Sequence, residues 1–149
     1  MESLKYSFLF IVIIASCKSA NLNTKINDLS DYVSIDFCHI QKLENGQNIK
    51  IRAIYGGVEE YWSLHSISCT NENIGYLNLD DYENTITELR FKKLYRNYMN
   101  YSLELEITGK FKFENDTRYG HLEHCNFEII PDAIKILTKI KKTSDNKGR

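Results

Sequence analysis

Ser102-Leu-Glu-Leu-Glu-Ile-Thr-Gly-Lys-Phe-Lys-Phe-Glu114 alternates without a slip. Its odd positions, Leu103, Leu105, Ile107, Gly109, Phe111 and Phe113, are apolar or glycine, and its even positions, Ser102, Glu104, Glu106, Thr108, Lys110, Lys112 and Glu114, are polar. A period of two over that length is a strand with one buried face, longer than the ordinary strand of about 5–6 residues. A slip of one residue would turn every apolar side chain into water, so the register is strongly specified. Gly109 is where so long a strand is expected to bend or bulge, as a small barrel requires.

The flanking segments supply partners for this strand. Ile49, Ile51, Ala53 and Tyr55 alternate with Lys50 and Arg52, predicting a strand over 47–55 that ends at Gly56-Gly57 and returns as a second strand over 61–68. Ile74 to Leu79 forms a third, shorter strand after the Asn71-Glu72-Asn73 turn. Tyr82 to Met99 lacks strand-type alternation and is predicted to be a helix, with Asp80-Asp81 as its cap. Phe127 to Leu137 is the last strand, and Pro131 restricts it to an edge or a bulge. Tyr32 to Leu43, with Val33, Ile35 and Phe37 on one parity, leads into the domain as a short strand or turn. Three strands, a helix and two strands is the order of an OB-fold, so the expected class is mainly β (α+β): an OB-like five-stranded barrel with one helix between strands three and four. A ferredoxin-like sandwich would need a helix directly after the first strand, and Gly56 to Trp62 offers none.

The 149 residues suit one domain with one core. Nineteen basic against 20 acidic residues leave a formal net charge of -1, so no global positive field draws in nucleic acid, and a nucleic-acid partner is not expected. One proline, ten tyrosines and seven phenylalanines argue against disorder and for strands.

The first sixteen residues read as an export signal, with Lys5 before an apolar core from Phe8 to Ala15. That core is too short to span a bilayer, which takes roughly 20 helical residues. Ile14-Ala15-Ser16-Cys17 resembles the lipobox of bacterial lipoproteins, with Ile14 where Leu is usual; the resemblance implies lipidation (palmitate) at Cys17 and a membrane-anchored place in the cell envelope. Plain secretion is the alternative. Residues 17–31 are a polar tether, 32–138 the barrel domain and 139–149 a basic, mobile tail. With Cys17 acylated, Cys38, Cys69 and Cys125 remain in an oxidising compartment, where one disulfide and one free thiol are expected. Cys38 with Cys69 is the favoured pair, because each ends a segment flanking the same hairpin.

Taken together, Cys38, Ile49-Lys50-Ile51-Arg52, Glu60-Tyr61-Trp62, Cys69, Thr108-Gly109-Lys110-Phe111 and Tyr119-Gly120-His121-Leu122 resemble an uncharacterised family of small exported bacterial proteins with an OB-like core. The resemblance implies fold and compartment. It carries no activity.

Candidate chemistry is sparse. His121, with His124 and Cys125 three and four residues on, offers zinc-type ligands without a full tetrahedral set, so no metal or cofactor is expected and the Tyr119-Gly120-His121 loop is a candidate functional loop with a structural alternative. Glu59-Glu60 and Asp80-Asp81 read as solvated or capping carboxylates. Ser63 and Ser66 flank His65 with no glycine elbow, and strand neighbours point to opposite faces, so no nucleophile is expected. Arg52, Tyr55, Tyr61 and Trp62 form the candidate ligand face, since the second and third strands of OB barrels commonly bind ligand; the alternative is that Trp62 packs the barrel core with Leu64. The function expected is a lipid-anchored, non-enzymatic envelope module binding an unidentified ligand or protein. The alternatives are an envelope hydrolase using His121 and a single-stranded nucleic-acid binder.

Overall fold

The computed structural model describes residues 31–70 and 73–142. Cys17, the signal segment and the tether up to residue 30 lie outside the described residues, as does the chain beyond residue 142.

The strands are β1 (Val33–Ile35), β2 (Asn48–Val58), β3 (Tyr61–His65), β4 (Gly75–Leu77), β5 (Tyr101–Lys112) and β6 (Phe127–Lys141). The α-helix α1 (Thr85–Tyr95) lies between β4 and β5, and 3-10 helices cover Phe37–Lys42 and His121–Glu123. Antiparallel β2–β3, β3–β4, β2–β5 and β5–β6 pairings, with a parallel β4–β6 pairing, close β2 to β6 into a mixed five-stranded barrel. This is the OB-like α+β barrel.

Period two builds its core. Ile49, Ile51, Ala53 and Tyr55 of β2 meet Gly109, Ile107, Leu105 and Leu103 of β5 in direct register, and all eight are buried. On the opposite parity, Lys50 pairs with Glu106 at 3.3 Å and Arg52 with Glu104, so the same ladder carries ion pairs on its wet face. Phe91 and Leu94 of α1 close the barrel end near Tyr55, with ring centroids of Tyr55 and Phe91 5.0 Å apart. Phe37 and Ile40 of the first 3-10 helix close the other end, Phe37 packing on Phe127 at 5.6 Å.

The long strand bends where expected. Register shifts fall between Thr108 and Gly109 and between Glu104 and Leu105, so that Asp132 and Leu137 of β6 have no opposite residue on β5. Gly109 faces Pro131, and a Cβ there would collide with the Ile130 carbonyl oxygen. The bulge therefore needs a residue without a side chain on one strand and tolerates proline on the other.

Several boundaries differ from expectation for identifiable reasons. β2 does not end at Gly56-Gly57 but runs through both, pairing them with Ser63 and Trp62; the turn is Glu59-Glu60, with Glu59 at φ 54°. The glycines serve close approach, since a Cβ on Gly57 would overlap the Tyr61 carbonyl. β3 stops at His65 and β4 covers only Gly75–Leu77, because the chain leaves the barrel wall on either side. The helix is capped by Asn84, whose side chain accepts from Thr87 N at 3.0 Å, rather than by Asp80-Asp81. Lys139–Lys141 are not tail: they extend β6 against Tyr101, Ser102 and Leu103, and Lys139 Nζ sits 3.4 Å from the Tyr101 ring centroid. β1 pairs parallel with Ile49–Ile51, on the length of β2 not used by β3.

Cys38 and Cys69 are joined by a disulfide, and Cys125 is a free, buried thiol. The bridge ties the 3-10 helix under the barrel to the segment leaving β3, a loop whose closure is worth roughly 3–4 kcal/mol in the chain-entropy model. Non-reducing peptide mapping is expected to recover Cys38 linked to Cys69, with Cys125 alkylated only after denaturation; alkylation of Cys125 in the native protein would contradict this packing.

Ile107 is fully buried, so Ile107→Asp strands a charge in the core and is expected to abolish the thermal transition, a loss above about 4 kcal/mol. Glu106→Gln, one residue away on the wet face, gives up only a part-exposed ion pair with Lys50 and is expected to shift stability by only about 0.5 kcal/mol. Equal melting temperatures for the two variants would refute the assignment of faces.

Candidate ligand-binding site

The loop from Phe113 to Asn126, between β5 and β6, decides which surfaces of the barrel are open. Its second half folds back over the outer face of β3 and β4 as a small hairpin, with Tyr119 N donating to Cys125 O at 3.0 Å and Cys125 N to Tyr119 O at 3.1 Å. His121 Nε2 lies 3.0 Å from Glu60 Oε2, in the β2–β3 turn. The Tyr61 ring meets His121 and His124 edge-on, with centroids 6.0 and 5.8 Å apart. The chain's own loop thus covers the face where OB barrels commonly take ligands.

The sequence-predicted face is divided accordingly. Tyr55 is core, 3% exposed, its hydroxyl 3.2 Å from that of Tyr95; burial, and then the neighbouring Tyr95, push its ionisation far above the ordinary range. Trp62 packs edge-on against Tyr95 at 4.5 Å and donates Nε1–H to the Glu59 carbonyl at 2.6 Å. Arg52 points outward into its Glu104 pair, and Tyr61, 44% exposed, faces the loop. These four residues do not share a surface, because strand parity sends Arg52 and Tyr55, and likewise Tyr61 and Trp62, to opposite sides.

The candidate loop is placed around a small polar cluster. His124 Nδ1 lies 2.7 Å from the His121 carbonyl oxygen, and its Nε2 lies 3.4 Å from Cys125 Sγ. Burial pushes the Cys125 thiol up to about 11, which keeps it protonated and inert at neutral pH. Gly120 has φ 76°, and a Cβ there would crowd the Tyr76 ring. The Tyr119 hydroxyl is enclosed without a hydrogen-bond partner among the described residues. No group of three or more histidine, cysteine, aspartate or glutamate side chains among the described residues is arranged to hold a metal ion.

Ser63 and His65 correct the expectation from the sequence. They are two residues apart, so they share a face, and Ser63 Oγ lies 2.7 Å from His65 Nε2. Among the described residues no carboxylate bonds to His65, so the pair lacks the group that would orient a general base. Partial desolvation of the His65 ring, together with the nearby charges of His124 and Lys142, lowers its pKa. The His121–Glu60 pair is the histidine–carboxylate contact that the hydrolase alternative requires, and both of its side chains are exposed.

An open cavity lies on the other side of the loop. A cleft of about 850 Å³ runs between the first 3-10 helix and the loop's first half, within the range of about 300–1,000 Å³ typical of ligand sites. Its apolar floor includes Ile40, Leu43, Phe111 and Phe127, and its polar rim includes Gln41, Asn73, Asn115, Arg118 and Asn126. Phe113, 42% exposed, stacks on Phe111 with the rings 11° from parallel and 6.5 Å apart. The rim is partly pre-arranged: Gln41 Nε2 donates to Asn73 Oδ1 at 3.1 Å, and Asn126 Oδ1 accepts from Ile74 N at 3.1 Å.

None of these cleft residues was a candidate from the sequence. The available signal was Phe113 itself, an aromatic that continues the buried parity one step past the end of β5 at Lys112. No protein-family model, curated protein or solved structure matches this chain.

The lowered His65 pKa gives a pH prediction with a definite sign. The unfolded chain, with His65 at its ordinary value near 6.5, binds the proton more readily than the folded one. Stability is therefore expected to fall as pH drops below about 6.5 and to level off below the folded pKa. Melting curves of His65→Asn should be flatter than wild type across that window, and an unchanged slope would remove His65 from the pH dependence.

Proposed function

We propose that this protein is a lipid-anchored, non-enzymatic binding module of the cell envelope that holds its ligand in the cleft between the first 3-10 helix and the Phe113–Asn126 loop. The observation that carries this reading is the cleft itself: an open cavity of ligand size whose floor is core aromatics and whose rim is preset amides. Anchoring rests on the lipobox-like Ile14-Ala15-Ser16-Cys17, and the polar tether would hold the barrel away from the bilayer.

Two measurements test the parts separately. Cys17→Ser is expected to abolish labelled palmitate incorporation and move the protein to the soluble fraction; unchanged membrane association would defeat the anchor. Immobilised full-length protein is expected to retain an envelope component that Phe113→Ala, a half-exposed truncation that spares the core, retains at least about tenfold less. Equal retention would defeat the cleft as the ligand site.

A further inference from the structure

The lining of the cleft also bears on the chemistry of its occupant, a conclusion that rests on the cleft being the ligand site. Four carboxamides, Gln41, Asn73, Asn115 and Asn126, stand on the rim together with Glu114, Asp116, Thr117 and Arg118. A carboxamide offers both an acceptor and two donors, and a hydroxyl likewise donates and accepts, so a ring of amides is matched to a polyhydroxylated ligand. Hydrogen bonds within the rim commit Asn73 Oδ1 and Asn126 Oδ1 while leaving their Nδ2 groups, and Gln41 Oε1, unengaged among the described residues. Those groups are held in place by the bonds their other ends make.

Phe113 supplies the complementary apolar element. Its ring is backed by Phe111 and half open to water, a flat surface whose electron-rich face suits the C–H side of a pyranose ring. Charge excludes the main competitors. Arg118 is outnumbered on the lining by Glu114 and Asp116, so the rim has no positive surplus to hold a phosphate chain. An extended peptide would need a free strand edge or paired side-chain pockets, whereas the cleft walls are a 3-10 helix and a loop.

We propose that the cleft binds a neutral glycan, with one sugar ring stacked on Phe113 and its hydroxyls bonded to Gln41, Asn73, Asn115 and Asn126. Its volume and its open shape accommodate a short stretch of a longer chain, as an envelope or extracellular polysaccharide would present.

Saturation-transfer NMR on the detergent-solubilised full-length protein tests this directly, using chitotetraose, cellotetraose and maltotetraose, with an uncharged Gly/Ser/Asn octapeptide and a short oligothymidylate as controls. The expected result is transfer to at least one tetrasaccharide, insensitive to salt, with affinity about tenfold weaker in Phe113→Ala. Asn115→Ala, in an exposed loop position, should weaken it as well while the melting temperature holds. Transfer to none of the three saccharides overturns the glycan assignment. If the octapeptide or oligothymidylate binds instead and Phe113→Ala weakens it, the glycan fails while the cleft stands as the site. Saccharide binding that is indifferent to both substitutions overturns the cleft as well.

Discussion

The ladder between Asn48–Tyr55 and Leu103–Lys110 closes the sheet on itself, and the rest of the molecule is arranged around that closure. Both strands alternate with period two, so when they pair, one shared face becomes continuous core and the other a row of Lys50–Glu106 and Arg52–Glu104 ion pairs. A sheet of this size closes only if its long strands change direction. The bulge at Gly109 opposite Pro131, where a side chain would strike the Ile130 carbonyl, supplies that change. Closure leaves two open ends, and each is filled by a separate element: α1 through Phe91 and Leu94, and the disulfide-tethered 3-10 helix through Phe37 and Ile40.

How the second end is filled determines where the barrel leaves an open cleft. The 3-10 helix covers the core without meeting the Phe113–Asn126 loop along its whole length, and the space between them is the cleft. The same loop then crosses the outer face of β3 and β4, held there by the Tyr119–Cys125 hairpin, the His121–Glu60 contact and the Tyr61 ring. One segment therefore folds over the usual platform of this barrel type and forms a wall of the cleft. His121 contributes by positioning that loop against the β2–β3 turn.

Legibility from the sequence depends on the range of the interactions. The strand from Ser102, the order of three strands, a helix and two strands, the bend at Gly109 and the Cys38–Cys69 pairing were all readable, because alternation, special residues and cysteine arithmetic are properties of neighbours or of a handful of positions. Errors gathered at chain reversals and ends. Gly56-Gly57 looks like a turn but lies inside a strand, where Gly57 makes room for the Tyr61 carbonyl and Gly56 for the Ser102 side chain. Asp80-Asp81 looks like a cap but Asn84 holds the helix start, and Lys139–Lys141 look like tail but find partners in Tyr101–Leu103. In each case several local solutions are chemically acceptable, and a distant segment selects one.

The amino-acid sequence by itself determined which side of each long strand is wet, since a side chain's face is set by its parity, and thereby the class of barrel. Only the tertiary structure decided what surface remains open. The ring partners of Tyr61, His121 and His124, come from a segment far along the chain, and whether an aromatic is buried under a loop, packed in a core or left half exposed in a cleft depends on how such segments cross in space. No periodicity within any one of them records that.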